Sequence, residues 1–140
     1  MSIEFTVPGN PVGKARPRVT RYGTYTPKKT KDYEELVKVC FNRSQASPEP
    51  YGGLVCVIAA KFSVPDSYRK SEKRRLPGTP YLHKPDADNV AKAVLDALNG
   101  IAFSDDSQIT ELHVYKQYSA GAGNVQVQIH KCGESEGSVK

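Results

Sequence analysis

Apolar and polar residues alternate over Ile3-Glu4-Phe5-Thr6-Val7, the period of a half-buried strand. Pro8, Gly9, Asn10, Pro11 and Gly13 then interrupt regular structure, and the stretch through Tyr22, Gly23, Thr24 and Tyr25 fits either a loop or a short hairpin. Thr26-Pro27 marks a helix start, with Thr as N-cap and Pro in the first helical position. Tyr33, Leu36, Val37, Cys40 and Phe41 follow at helical spacing and give that helix one apolar face. Ser47, Pro48, Pro50, Gly52 and Gly53 end it. Leu54 to Val64 is rich in β-branched residues, and its first half is apolar on both faces, which predicts a central strand. Residues 65–85 hold four prolines and Gly78 and read as a long loop. A second helix opens at Asp88 or Asn89, buries Val90, Val94, Leu95 and Leu98, and stops at Asn99-Gly100. Ile109 to Tyr118 predicts a strand with Thr110, Leu112 and Val114 on one face. After the Gly-rich turn 119–124, Val125, Val127 and Ile129 alternate with glutamines in a last strand. The tail from Gly133 reads as disordered. The order β-α-β-(basic loop)-α-β-β predicts one α+β domain over residues 1–132, a mixed sheet packed with two main helices.

Composition narrows the class. At 140 residues, 38% hydrophobic and 25% charged, the chain suits one globular domain. No apolar run approaches the ~20 residues that span a bilayer, and Met1 to Val7 lacks the apolar core of a signal peptide; both favour the cytoplasm and no membrane partner. Cys40, Cys56 and Cys132 match neither a metal-binding spacing nor a disulfide framework; the first two read as small buried hydrophobes, the third as incidental. Charge is strongly segregated. Pro8 to Lys31 carries seven bases (Lys14, Arg16, Arg18, Arg21, Lys28, Lys29, Lys31) and no acid. Pro65 to Pro85 carries six (Arg69, Lys70, Lys73, Arg74, Arg75, Lys84) against Asp66 and Glu72. These stretches hold a net +11, so the remainder of a +5 chain carries −6. Such segregation points to a polyanionic partner, DNA or RNA first, with Lys14, Arg16, Arg18, Arg21, Arg69, Lys70, Lys73, Arg74, Arg75 and Lys84 as candidate contacts. Tyr22, Tyr25, Tyr68 and Tyr81 interleave with the bases, either to pack or to stack on unpaired bases.

The candidate chemistry lies in Lys84-Pro85-Asp86-Ala87-Asp88-Asn89-Val90-Ala91-Lys92. In extended backbone, residues two apart point the same way, so Asp86 and Asp88 present paired carboxylates ahead of the helix. Asp105-Asp106 is a second acidic pair just beyond it. The helix is short, about 16 Å at ~1.5 Å per residue, and the chain is expected to turn back along it and bring the pairs together. Three clustered carboxylates need a cation, and oxygen-only ligands suit Mg²⁺ or Mn²⁺. Lys92, one turn after Asp88, is a candidate for stabilising phosphate charge, or it simply pairs with Asp96. His83 is a further possible general base. Each feature has a plainer reading: Asp88 as a helix cap, Asp105-Asp106 as a polar turn, the bases as solvated surface.

Asp86-Ala87-Asp88-Asn89-Val90-Ala91-Lys92, followed by Asp96-Ala97-Leu98 and Phe103-Ser104-Asp105-Asp106-Ser107-Gln108, resembles the signature of the RusA-type Holliday-junction resolvases of bacteria and their phages. The likeness is specific over residues 85–116 and agrees in layout over most of the chain. Where some relatives carry arginines before the first Asp, this chain has Leu82-His83-Lys84-Pro85, so phosphate contacts there fall to Lys84 or Arg74-Arg75. The resemblance implies a homodimeric, Mg²⁺-dependent endodeoxyribonuclease with no small-molecule cofactor. It implies that two symmetry-related strands of a four-way DNA junction are cut in recombination and repair, leaving 5′-phosphate and 3′-hydroxyl ends. It maps metal ligands onto Asp86, Asp88 and Asp106 and the essential lysine onto Lys92. A flap or branched-DNA nuclease, a non-catalytic nucleic-acid-binding module and a domain that meets an acidic protein are the alternatives.

Overall fold

The computed structural model describes residues 2–16 and 18–133, with Arg18 described for its backbone only; the tail predicted as disordered lies, from 134 on, outside them. Four strands form one mixed sheet in the order β1 (Ser2–Pro8), β6 (Asn124–Lys131), β4 (Leu54–Phe62), β5 (Ile109–Tyr118). β6 is antiparallel to β1 and β4, whereas β5 is parallel to β4. A parallel neighbour requires a crossover, and residues 63–108 supply it. β2 (Arg18–Thr20) and β3 (Gly23–Tyr25) form a separate two-stranded hairpin.

The expected architecture is present. β1 alternates exposed and buried as its sequence does, with Ile3, Phe5 and Val7 turned inward beside Val125, Val127 and Ile129 of β6. β4 is central: Leu54, Cys56, Ile58, Ala60 and Phe62 face the core, and Val55 is buried on the other face. Burial pushes the Cys56 thiol up to about 12, consistent with its reading as a small hydrophobe. Helix α1 (Lys28–Ser44) contributes Thr30, Tyr33, Val37 and Phe41 to the core, and α3 (Ala87–Leu98) contributes Val90, Ala91, Ala93, Val94, Ala97 and Leu98. α1 packs on α3 and β1, and α3 on β5. The alanines of α3 keep it thin enough to sit close against its neighbours.

Local differences have local causes. Pro27, not Thr26, stands at the N-cap of α1, and its carbonyl accepts from Thr30 N at 3.1 Å and Lys31 N at 3.2 Å. α3 opens at Ala87, earlier than the expected Asp88 or Asn89. The predicted long loop contains a short helix, α2 (Lys70–Arg75), where Glu72 accepts from Arg69 N at 3.3 Å. β4 ends at Phe62 rather than Val64.

Candidate catalytic site

The segment that leads into α3 is fastened on both sides. Lys116, near the end of β5, donates its Nζ to the carbonyls of His83 and Pro85, each at 2.7 Å. Its ammonium also lies 5.6 Å from the centre of the Tyr81 ring. Tyr81 stacks on Phe62 with centroids 3.7 Å apart, and Tyr118 meets its edge at 5.1 Å. Backbone bonds from Gly78 N to Tyr118 O (2.9 Å) and from Tyr81 N to Lys116 O (3.0 Å) lay this stretch along the end of β5. On the opposite side Lys14 N donates to Asn89 O at 2.9 Å. Gly13 passes so near Pro85 that a Cβ there would stand 2.6 Å from the proline Cβ.

This anchored lead-in delivers Asp86 and Asp88. Asp86 is the N-cap residue of α3 in extended backbone (φ −69, ψ 156), but its side chain makes no capping bond. The cap thus falls on Asp86 rather than Asp88, and Asp88 lies in the first helical turn. Both side chains are exposed. Among the described residues their one ion pair is Asp86 Oδ2 to Lys84 Nζ at 3.5 Å. Lys92, one turn on, is exposed and 3.8 Å from Asp96, the ordinary i,i+4 pair anticipated for it. Asp96 also holds Lys14 at 3.2 Å, and Glu34 of α1 holds the same ammonium at 2.6 Å. Burial alone would pull the Lys14 pKa down; Glu34 and Asp96 outweigh it and hold it above the usual lysine value. Lys14 is therefore engaged by two carboxylates within the protein, unlike the exposed bases of the candidate set.

The second acidic pair divides its labour. Asp105 Oδ2 accepts from Ser107 N at 3.0 Å, which caps a single 3₁₀ turn at Asp106–Gln108; hydrogen bonding from the Ser107 side chain first, and its backbone second, holds the Asp105 carboxyl below its usual value. Gln108 Oε1 accepts from Ser104 N (2.7 Å) and Asp105 N (3.2 Å), while its Nε2 donates to Glu49 O and Gly52 O, both 3.1 Å. The glutamine of the motif is thus the peg that fixes this turn to the end of the 45–53 connection. Asp106 is exposed and, among the described residues, carries no side-chain bond or ion pair.

The two pairs do not meet within one chain. α3 runs antiparallel to β5, so its N-terminal end lies beside Lys116 and its C-terminal end beside the start of that strand. The thirteen steps from Asp86 to Asn99 extend about 20 Å at ~1.5 Å per residue, and Asp106 lies near the far end. The chain does turn back along the helix, as expected, but the residue that arrives at Pro85 is Lys116, ten positions after Asp106. Among the described residues no three His, Cys, Asp or Glu side chains form a group able to hold a metal.

Most of the candidate bases are exposed among the described residues. Arg16, Arg21, Arg69, Lys70, Lys73, Arg74, Arg75 and Lys84 are exposed, four of them on α2. The tyrosines separate: Tyr81 is packed, whereas Tyr22 is 90% and Tyr25 49% exposed. His83 is exposed, its ring against the edge of Tyr81 at 5.4 Å. No helix among the described residues is long and apolar enough to cross a membrane.

Comparison with known proteins adds two findings. Residues 8–130 match a family model described as Endodeoxyribonuclease RusA. Uncharacterized protein YqaN of Bacillus subtilis (strain 168) is 34% identical over 125 residues, which covers 84% of this chain and 88% of that protein.

Proposed function

Because the chain belongs to the RusA endodeoxyribonuclease family, we propose that it nicks two symmetry-related strands of a four-way DNA junction as a homodimer. The observation that carries this reading is the anchored start of α3. There Asp86 and Asp88 are exposed and uncommitted to capping, with Lys92 exposed one turn on. Acids at a helix start also suit its dipole, but with neither side chain bonded in a cap both are free to serve a metal-assisted attack on a phosphodiester.

One chain alone lacks the third carboxylate at that end, so the proposal includes a partner. Asp106 and the Asp86 end lie at opposite extremities of β5, the edge strand of the sheet. A two-fold axis across that edge sets each extremity beside the partner's opposite one. Each of two equivalent sites then combines Asp86, Asp88 and Lys92 with the partner's Asp106. These oxygen donors suit Mg²⁺, or Mn²⁺ in its stead, which when bound supplies a Lewis acid at the scissile phosphate. The chain itself contributes the positive charge of Lys92 toward that phosphate, and the bases of α2 and Lys84 hold the flanking backbone.

The test uses a labelled synthetic four-way junction with Mg²⁺ beside a linear duplex of the same sequence. The junction is expected to be nicked symmetrically and the duplex left whole. Asp88→Asn is expected to bind the junction but lose cleavage by at least about 100-fold, on the scale of removing one transition-state contact. An uncut junction, or full activity in Asp88→Asn, overturns the proposal. Faster cutting of a flap substrate replaces it with the flap-nuclease alternative.

A further inference from the structure

Among the described side chains, the hairpin of β2 and β3 contributes nothing to the core. Every residue from Val19 to Tyr25 is exposed, including Val19 at 79%, Tyr22 at 90% and Tyr25 at 49%. Its strands belong to a two-stranded sheet of their own, and such a unit is marginal alone in water. Its tip is nevertheless shaped. Thr20 Oγ1 donates to Gly23 O and accepts from Tyr22 N, each at 3.1 Å, and Gly23 turns at φ +124. This geometry holds the Tyr22 ring outward at the apex, with the Arg21 guanidinium 6.0 Å from its centre.

Both roots of the hairpin are tied near the Asp86 end of the molecule. Before it, Lys14 is bonded to Asn89, Glu34 and Asp96, and Ala15 N donates to Thr30 Oγ1 at 3.2 Å. After it, Pro27 starts α1. From Pro8 to Lys31 there is no acidic residue. An exposed aromatic apex on a purely basic arm suits a ligand with a flat apolar face and dense negative charge, which is the chemistry of a nucleic-acid base beside its phosphates. In continuous duplex both faces of each base are already stacked. Where strands branch, stacking is interrupted and a face becomes available.

We propose that this hairpin is the branch-sensing element, with Tyr22 stacking on a base at the point where DNA strands diverge and Arg21 meeting the adjoining phosphate. The proposal rests on the junction-nuclease reading and names the part that distinguishes branched from linear DNA.

Binding measured by fluorescence anisotropy in EDTA tests it independently of cleavage, with a four-way junction and a matched duplex as probes. Tyr22→Ala is expected to weaken junction binding about 10-fold, within the range seen on removing base–aromatic stacking, and to leave duplex binding within about twofold. Tyr22→Phe, which keeps the ring, is expected to bind the junction like the unaltered protein. Because Tyr22 is exposed, neither change disturbs the core. Unchanged junction binding in Tyr22→Ala overturns the proposal, as does an equal loss on both probes or a wild type that binds both equally. A protein that binds this way but cuts nothing retains the hairpin role and loses the nuclease reading; one that cuts junctions while Tyr22→Ala binds normally does the reverse.

Discussion

Lys116 illustrates what a single side chain can control. Its ammonium holds two carbonyls, those of His83 and Pro85, at the entry to Asp86. Lys116→Met leaves both acceptors without their donor. We expect a stability loss of about 1–3 kcal/mol in urea unfolding, and a fall in single-turnover nicking at saturating junction that exceeds any change in junction affinity. Lys116→Arg keeps a donor there and is expected to recover part of the rate; equal rates in Met and Arg variants would assign Lys116 a packing role alone. At this scale the sequence was informative where a residue belongs to a local pattern. Asp86, Asp88, Lys92 and the Asp105-Asp106 pair drew notice through spacing and type. Lys116 did not, because its partners are backbone carbonyls over thirty positions away, and the pairing of Lys14 went unread because Glu34 and Asp96 reach it only through the tertiary fold.

Among the elements, α3 joins the core to the proposed site. One side buries Val90, Val94, Ala97 and Leu98, and the other carries Asp88 and Lys92 into solvent. Leu98 is fully buried, so Leu98→Ala is expected to cost about 2–5 kcal/mol, read as a lowered urea midpoint with an unchanged slope. The periodicities of α1, β1, α3 and β6 were legible because each has one buried face, which writes its period into the chain. The hairpin of β2 and β3 and the helix α2 were less so: with no buried residue among those described, neither leaves an apolar pattern to read. The earlier start of α3 was hidden because Asp86, Asp88 and Asn89 are all acceptable near a helix N-terminus.

For the whole molecule, the direction of one strand decides how the acids are distributed. Since β5 is parallel to β4, the chain must cross the sheet on α3 and begin β5 at the end remote from Asp86. A sequence reader sees only that Asp106 follows the helix closely; strand direction sets which end it occupies. If the sites are shared between two copies, mixing inactive Asp88→Asn chains with inactive Asp106→Asn chains restores nicking, because half the sites in each mixed dimer then contain no substitution. Sites confined to single chains would stay inactive in every mixture, which a nicking assay after co-refolding separates cleanly. The crossover between β4 and β5 has one more consequence. It carries α2, the anchored lead-in, α3 and the Asp106 turn as one uninterrupted cassette of residues 63–108, while the β1–β6 pairing is made by the two ends of the chain. Remodelling of substrate preference by insertion or exchange within that cassette can therefore proceed while the pairing of the terminal strands is left intact.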